Sequence, residues 1–187
     1  MVVSPTRPMP NLIASLAVLV AAALLAFGLP ALDRALPAER PVEADQRYEV
    51  GAGVSVLPPA GALLDVTRTR PREDRGTALF VLGGVRYAIV VEPFDGTLPA
   101  AAERLRQKIT AGRGYQVAGV ERPAVTATGL AGIRGGYTAP RRAGRYSVFL
   151  VDGLVIEVTV SGADAALRGV LDRIDASTRS LAVRSPR

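Results

Sequence analysis

Apolar positions in this chain change their period along its length. From Asn11 to Leu29 (NLIASLAVLVAAALLAFGL) the run is uncharged and shows no alternation. From Pro30 to Arg47 (PALDRALPAERPVEADQR) proline, alanine and charge dominate and no apolar period survives. From Tyr48 onward a two-residue alternation sets in, which predicts strands. Gly53–Leu57 alternates and stops at Pro58-Pro59, and Leu63–Thr67 predicts a second short strand before the charged loop Arg68–Gly76. Thr77–Leu82 and Val85–Glu92 are β-branched and apolar, parted only by Gly83-Gly84, a pair suited to a two-residue hairpin turn. Tyr146–Val151 and Leu154–Val160 repeat the device around Asp152-Gly153, and Gln116–Thr128 and Leu130–Thr138 predict two strands between the hairpins.

Two stretches keep a helical period instead. Leu98–Ala111 places Leu98, Ala101, Ala102, Leu105 and Ile109 on one face, with Thr97 as its N-cap and Gly112 just past its end. Ala163–Ser180 carries Leu167, Val170, Leu171, Ile174 and Leu181 as its stripe. Ser161-x-x-Asp164 resembles a capping box, and Asp164/Arg168 and Asp175/Arg179 are i,i+4 pairs in the favourable order. Both stripes need a sheet to lie on, so the order β-β-β-β-α-β-β-β-β-α predicts an α+β fold, an antiparallel sheet packed with two helices.

The apolar run supplies an address. Leu12–Leu29 as helix would span roughly 27 Å, just short of a bilayer's hydrocarbon core of about 30 Å. It exceeds the apolar core of a signal peptide, and no A-x-A stands between Pro30 and Gln46. The expectation is an uncleaved single-span anchor, with a cleaved signal or a buried soluble helix as alternatives. Arg7 and the α-amino group precede the run without an acid, a slight bias toward a cytoplasmic N-terminus. The expected organisation is a short cytoplasmic N-terminus (1–10), a transmembrane helix (11–29), a Pro/Ala-rich spacer (30–47), an extracytoplasmic α+β domain (48–181) and a disordered tail (182–187).

Composition then narrows the chemistry. The net charge is +6, and the basic residues are 22 Arg and a single Lys, Lys108. Without Arg7, 22 bases face 17 acids beyond the membrane, which favours anionic lipid headgroups or wall polymers. The basic residues are scattered, so no nucleic-acid partner is expected. There is no His and no Cys, which removes the Ser-His-Asp triad, thiol nucleophiles, imidazole or thiolate zinc sites and His-ligated haem. Carboxylate hydrolysis needs two acids facing across a cleft, roughly 5–9 Å apart. The acids here fall mainly in the spacer, in loops and on helix surfaces. No catalytic, cofactor or metal residue is expected.

The order of elements and several phrases resemble the Mog1/PsbP-like family, which includes membrane-tethered versions in actinobacterial envelopes. The phrases are Gly53-Val54-Ser55-Val56-Leu57-Pro58, Thr126-Ala127-Thr128-Gly129-Leu130-Ala131-Gly132-Ile133-Arg134, and the closing Val158-Thr159-Val160-Ser161-Gly162 before a helix ending at Ser180-Leu181. The likeness spans Tyr48–Leu181. One departure is that Ala62-Leu63-Leu64 follows Gly61, where such domains often carry an aromatic, and the chain has no Trp. The resemblance implies an accessory or binding module and no shared catalytic residues.

Gly129-x-x-Gly132-x-x-Gly135-Gly136 sits in strand-like sequence with no helix after it, so bulges or close backbone packing are expected rather than a phosphate loop. Two arginine clusters remain as candidate anion or partner contacts: Arg68, Arg70, Arg72 and Arg75 in the first long loop, and Arg141, Arg142 and Arg145 in the hairpin loop after Pro140. If they converge at one end of the sheet they could grip phosphate, sulfate or carboxylate. The expected function is a non-enzymatic, membrane-anchored envelope protein whose outer domain binds a protein partner or an anionic envelope component. The alternative is a carrier of a lipid or small amphiphile held between sheet and helices.

Overall fold

A computed structural model describes residues 38–184, so the apolar run 11–29, the N-terminus 1–10, the first part of the spacer and the last residues of the tail lie outside the described residues. Among the described residues, twelve strands and two helices follow one another. They are β1 (Glu39–Pro41), β2 (Tyr48–Gly51), β3 (Val54–Val56), β4 (Leu63–Asp65), β5 (Arg70–Pro71), β6 (Gly76–Leu82), β7 (Val85–Pro93), α1 (Leu98–Thr110), β8 (Gln116–Val125), β9 (Ala131–Ala139), β10 (Arg142–Val151), β11 (Leu154–Gly162), α2 (Asp164–Arg179) and β12 (Ala182–Val183). Every pairing among them is antiparallel, in the order β12-β3-β2-β6-β7-β11-β10-β9-β8, with β4 and β5 also on β6 and β1 on β4. The two expected tight turns are present: Gly83 and Gly84 sit at φ +56° and +78°, Asp152 and Gly153 at +49° and +73°.

Strict alternation sends the two helices to opposite faces of the sheet. On one face Phe80, Tyr87, Ile89, Phe149, Ile156 and Val158 meet Leu167, Val170 and Ile174 of α2. On the other, Tyr137, Tyr146, Val148 and Val155 meet Ala101 and Leu105 of α1. Burial of each large apolar side chain contributes roughly 1.5–3 kcal/mol, so the larger α2 layer dominates the apolar stabilisation. The glycines of β9 have a packing reason: a Cβ on Gly132 would collide with Phe149, and one on Gly135 with Tyr146.

Several expected boundaries move, each for a local reason. The spacer gives way at its C-terminal end, where Glu39–Pro41 pairs with Leu63–Asp65 and Val42 N–H donates to Ala62 O (3.3 Å). All three β1 residues are exposed, so main-chain pairing alone holds the strand and no apolar period marks it. The tail contributes β12, whose Ala182 and Val183 pair with Ser55 and Val54. The strand expected at Leu63–Thr67 stops at Asp65, because its Oδ1 accepts from Thr67 N (3.0 Å) and Arg68 N (3.1 Å) and turns the chain. The strand expected to reach Thr128 ends at Val125, where Gly129 N–H donates to Thr126 O (3.0 Å). Thr97 does cap α1, accepting from Ala100 N. The capping box on α2 does not form: Ala163 is the N-cap, with no side-chain cap, and Asp164 pairs forward with Arg168. Asp175 does not pair with Arg179; its Oδ2 accepts from Arg145 (3.2 Å) and Arg134 (3.5 Å) across the α2 face.

Candidate anion-binding site

The first arginine cluster occupies a segment held at several points. Asp65 turns the chain out of β4, and Thr69 Oγ1 accepts from Leu79 N–H (3.1 Å). Arg70 then registers with Thr77 and Pro71 with Gly76. Arg72 N–H donates to Arg75 O (2.9 Å), and Ala52 N–H donates to Arg72 O (2.9 Å). The expected charged loop is thus partly strand, and its arginines are displayed on a defined backbone.

An open cleft of about 290 Å³ results, lined by Arg70, Arg72, Arg75, Thr77, Val90 and Glu92 with the Gly76 and Val91 backbone. Alternation explains the lining. Thr77 pairs with Val90 and Gly76 with Val91, so Arg75 falls opposite Glu92, on the face that also carries Thr77 and Val90. Arg75 gives Nε and Nη2 to Asp74 Oδ2 (2.9 and 2.8 Å); this pairing raises the guanidinium pKa and lowers that of the carboxyl. Arg70 Nη2 donates to Thr67 O (3.3 Å), and no carboxylate among the described residues pairs with Arg70 or Arg72. These two guanidiniums keep donors for an incoming anion. Arg68 leans toward Asp65 (3.9 Å) and does not line the cleft.

The second cluster is elsewhere. Arg141 alone occupies the turn, at φ +60°, while Arg142 and Arg145 belong to β10. The rung through Ala143 continues to Gly162, whose backbone abuts Val85, whereas the cleft rung runs through Gly76 and Val91. Gly76 and the Val85 partner Leu82 lie at opposite ends of β6, about 20 Å apart at roughly 3.3 Å per residue. The two clusters do not converge. Arg145 is also committed to Asp175, which leaves Arg141 and Arg142 as a small exposed pair.

Sequence reasoning missed the acidic side of the site. Glu157 lies in an apolar strand at 4 % exposure and accepts from Arg104 Nη2 (2.9 Å) and Lys108 Nζ (2.9 Å), fastening α1 to the sheet. Glu92 Oε2 stands at longer range from the same two cations (3.4 and 3.5 Å), joining this ion-pair network to the cleft. A carboxylate inside the run Leu154–Val160 was the available signal. Tyr146 O–H donates to Glu121 Oε1 (2.6 Å) on the same face, and burial followed by that carboxylate pushes the phenol up to about 12. No group of three or more carboxylates gathers as a metal site among the described residues, and no helix there is long and apolar enough to cross a membrane.

This architecture is the Mog1/PsbP fold. The chain is similar to cyanobacterial PsbP (CyanoP) from Synechocystis sp. PCC 6803, with 18 % identity and a TM-score of 0.54 over 74 % of this chain and 92 % of that one. It is similar to LpqN, involved in cell envelope biogenesis of Mycobacterium tuberculosis, with 12 % identity and a TM-score of 0.53 over 74 % and 90 %. The Saccharomyces cerevisiae Ran-binding protein Mog1p aligns at 6 % identity and a TM-score of 0.50 over 74 % and 95 %. No family model and no curated protein matches the chain. At these identities the likeness carries the fold alone.

Proposed function

We propose that the chain is a non-enzymatic, single-span protein of an actinobacterial cell envelope, with its folded domain outside the membrane serving as an accessory binding module. The address rests on the uncharged run 11–29 and the weak positive bias before it. The observation that carries the binding role is the cleft of Arg70, Arg72 and Arg75, whose guanidiniums suit an anionic envelope component or an acidic patch of a protein partner. LpqN, a neighbour in fold, is named for cell envelope biogenesis, which agrees with that setting. Arg141 and Arg142 offer a second, independent basic contact at the other end of the sheet. The amphiphile-carrier alternative is less favoured, because Phe80, Tyr87, Ile156 and Ile174, all fully buried, fill the layer between sheet and α2.

The test is crosslinking of the full chain in native membranes, beside an Arg70→Ala/Arg72→Ala/Arg75→Ala variant and an Arg141→Ala/Arg142→Ala variant. A lipid, polymer or protein captured by the wild type and lost from the first variant supports the reading. An identical catch from all three chains, or none from any, overturns it.

A further inference from the structure

Three candidates stand out: the acid in the arginine cleft, the exposed edge strand β8 and the basic groove of Arg40 and Arg47. On β8, Val117, Val120 and Val125 are exposed, yet Pro123 and a register shift between Ala118 and Arg122 guard the edge. In the groove, Arg47 is spent on Ser180 O (3.0 Å), and Glu43 offsets Arg40. The cleft carries an argument further, because its composition is not that of a plain anion hole.

Five cations (Arg70, Arg72, Arg75, Arg104, Lys108) meet three carboxylates (Asp74, Glu92, Glu157) in and beside the cleft, leaving two positive charges in excess. Of the three acids only Glu92 lines the cleft itself. With Glu157 it balances the charges of Arg104 and Lys108, but the short contacts, at 2.9 Å, are those of Glu157. The Glu92 contacts to them are longer and use Oε2 alone, while Oε1 has no hydrogen bond among the described residues. A bare phosphate or sulfate gains nothing from a carboxylate among its donors; the like charges repel. A hydroxyl gains an acceptor. Beside the rung of Arg75 and Glu92 lies that of Thr77 and Val90, which adds one polar and one apolar residue to the lining. The volume, about 290 Å³, falls at the lower edge of ligand pockets and suits a headgroup-sized molecule rather than an acyl chain.

Resting on the anion-binding reading above, we infer that this cleft takes a phosphorylated polyol. Its phosphoryl oxygens sit on Arg70, Arg72 and the free edge of Arg75, and its hydroxyls donate to Glu92. Such a group reaches the domain either as a phospholipid headgroup or as a soluble or polymer-borne polyol phosphate, and the chemistry at the cleft is the same.

The experiment uses the full chain in phosphatidylcholine nanodiscs, titrated calorimetrically with inorganic phosphate and with glycerol phosphate. Glycerol phosphate binds about tenfold or more tighter than inorganic phosphate, the scale of one added charge-assisted hydrogen bond. Arg70→Gln/Arg72→Gln loses both ligands. Glu92→Gln binds inorganic phosphate more tightly, because the repelling like charge is gone, and loses the preference for glycerol phosphate; circular dichroism on each variant checks the fold, which Glu157 continues to fasten. Equal affinity for the two ligands in the wild type, or a preference that survives Glu92→Gln, overturns the inference while leaving the broader reading intact. Absence of any anion binding, together with a membrane catch that ignores Arg70 and Arg72, overturns both. Nanodiscs doped with phosphatidylglycerol separate the sources. If they compete with glycerol phosphate the inference is supported with a lipid as source; if they do not, it is supported with a soluble or polymer-borne one.

Discussion

Gly51 and Gly76 are register partners where β2 crosses onto β6, and neither position has room for a side chain. A Cβ on Gly76 would enter the Val50 carbonyl oxygen, and one on Gly51 the Arg75 carbonyl, with Gly51 itself at φ +134°. This crossing sets the backbone from which Arg75 and Arg72 reach the cleft. It also separates two costs that glycine substitutions usually mix.

Gly76→Ala is therefore expected to destabilise the domain by about 3 kcal/mol or more, since the obstacle is backbone and cannot rotate away. Gly153→Ala meets open space at φ +73° and should lose only about 1–2 kcal/mol, the left-handed penalty alone. Urea unfolding of both variants checks the order. Equal losses would show that the crossing tolerates a methyl group.

Removing the Glu157 carboxylate leaves Arg104 and Lys108 only the longer contacts to Glu92 (3.4 and 3.5 Å). Glu157→Ala is expected to cost about 2 kcal/mol, since both cations are partly exposed, whereas Lys108→Ala, which leaves Arg104 on the acid, should cost about 1 kcal/mol. Chemical denaturation of the two single variants and the double variant measures the coupling. Additive losses would dismiss the network as a fastener of α1.

Burial pushes the hydroxyls of Tyr87, Tyr137 and Tyr146 up to about 12, against about 10 in an unfolded chain. Between those values the unfolded state binds fewer protons than the native one, so stability falls as pH rises. The stabilisation these three groups contribute is complete below about pH 10 and is lost progressively toward pH 12. Unfolding free energies measured from pH 8 to 11.5, beside tyrosinate absorbance of the native protein, test this. A stability flat through pH 11 would falsify it. Tyr87→Phe should weaken the dependence and cost about 1 kcal/mol, because Ser177 Oγ (3.3 Å) and Thr178 Oγ1 (3.2 Å) lose their neighbour.

Asp175 carries two arginines from different strands onto α2. Asp175→Ala should release Arg134 and Arg145 and lower stability by about 1 kcal/mol, as partly exposed pairs do. The loss should shrink in 1 M salt. A loss unchanged by salt would assign the effect to packing instead of charge.

Apolar periodicity made most of the long elements legible, and it did so where one face is buried. Val85–Glu92 alternates because one side lies under α2, Leu154–Val160 is almost continuously apolar because both its faces are covered, and Leu98–Ala111 repeats at helical spacing because Ala101 and Leu105 touch the sheet. Four strands escaped notice: Glu39–Pro41, Arg70–Pro71 and Ala182–Val183 bury no full-length side chain and are held by main-chain pairing, and Tyr48–Gly51, which buries Val50, is too short to show a period. Main-chain hydrogen bonds carry no residue signature. Half of the candidate site was visible for the complementary reason: a cluster of arginines stands out in any sequence, but the partners that meet it do not.

The order of the long strands and the two helices, the two tight turns, the α+β class and the exclusion of His and Cys chemistry were determined by the sequence alone, because local propensity and period depend on neighbours in the chain. Which arginines share a surface was decided only by tertiary structure. Register across β5, β6 and β7 brings Arg70, Arg75, Thr77 and Glu92 to one face, and the length of β6 keeps Arg141 and Arg142 at the far end. Asp175 shows the same dependence. Four residues before Arg179 on a helix it had a partner by spacing, yet Arg145, thirty positions away along the chain, reaches it through the fold. Charge pairs are set by distance in space, and only the packed sheet fixes that distance.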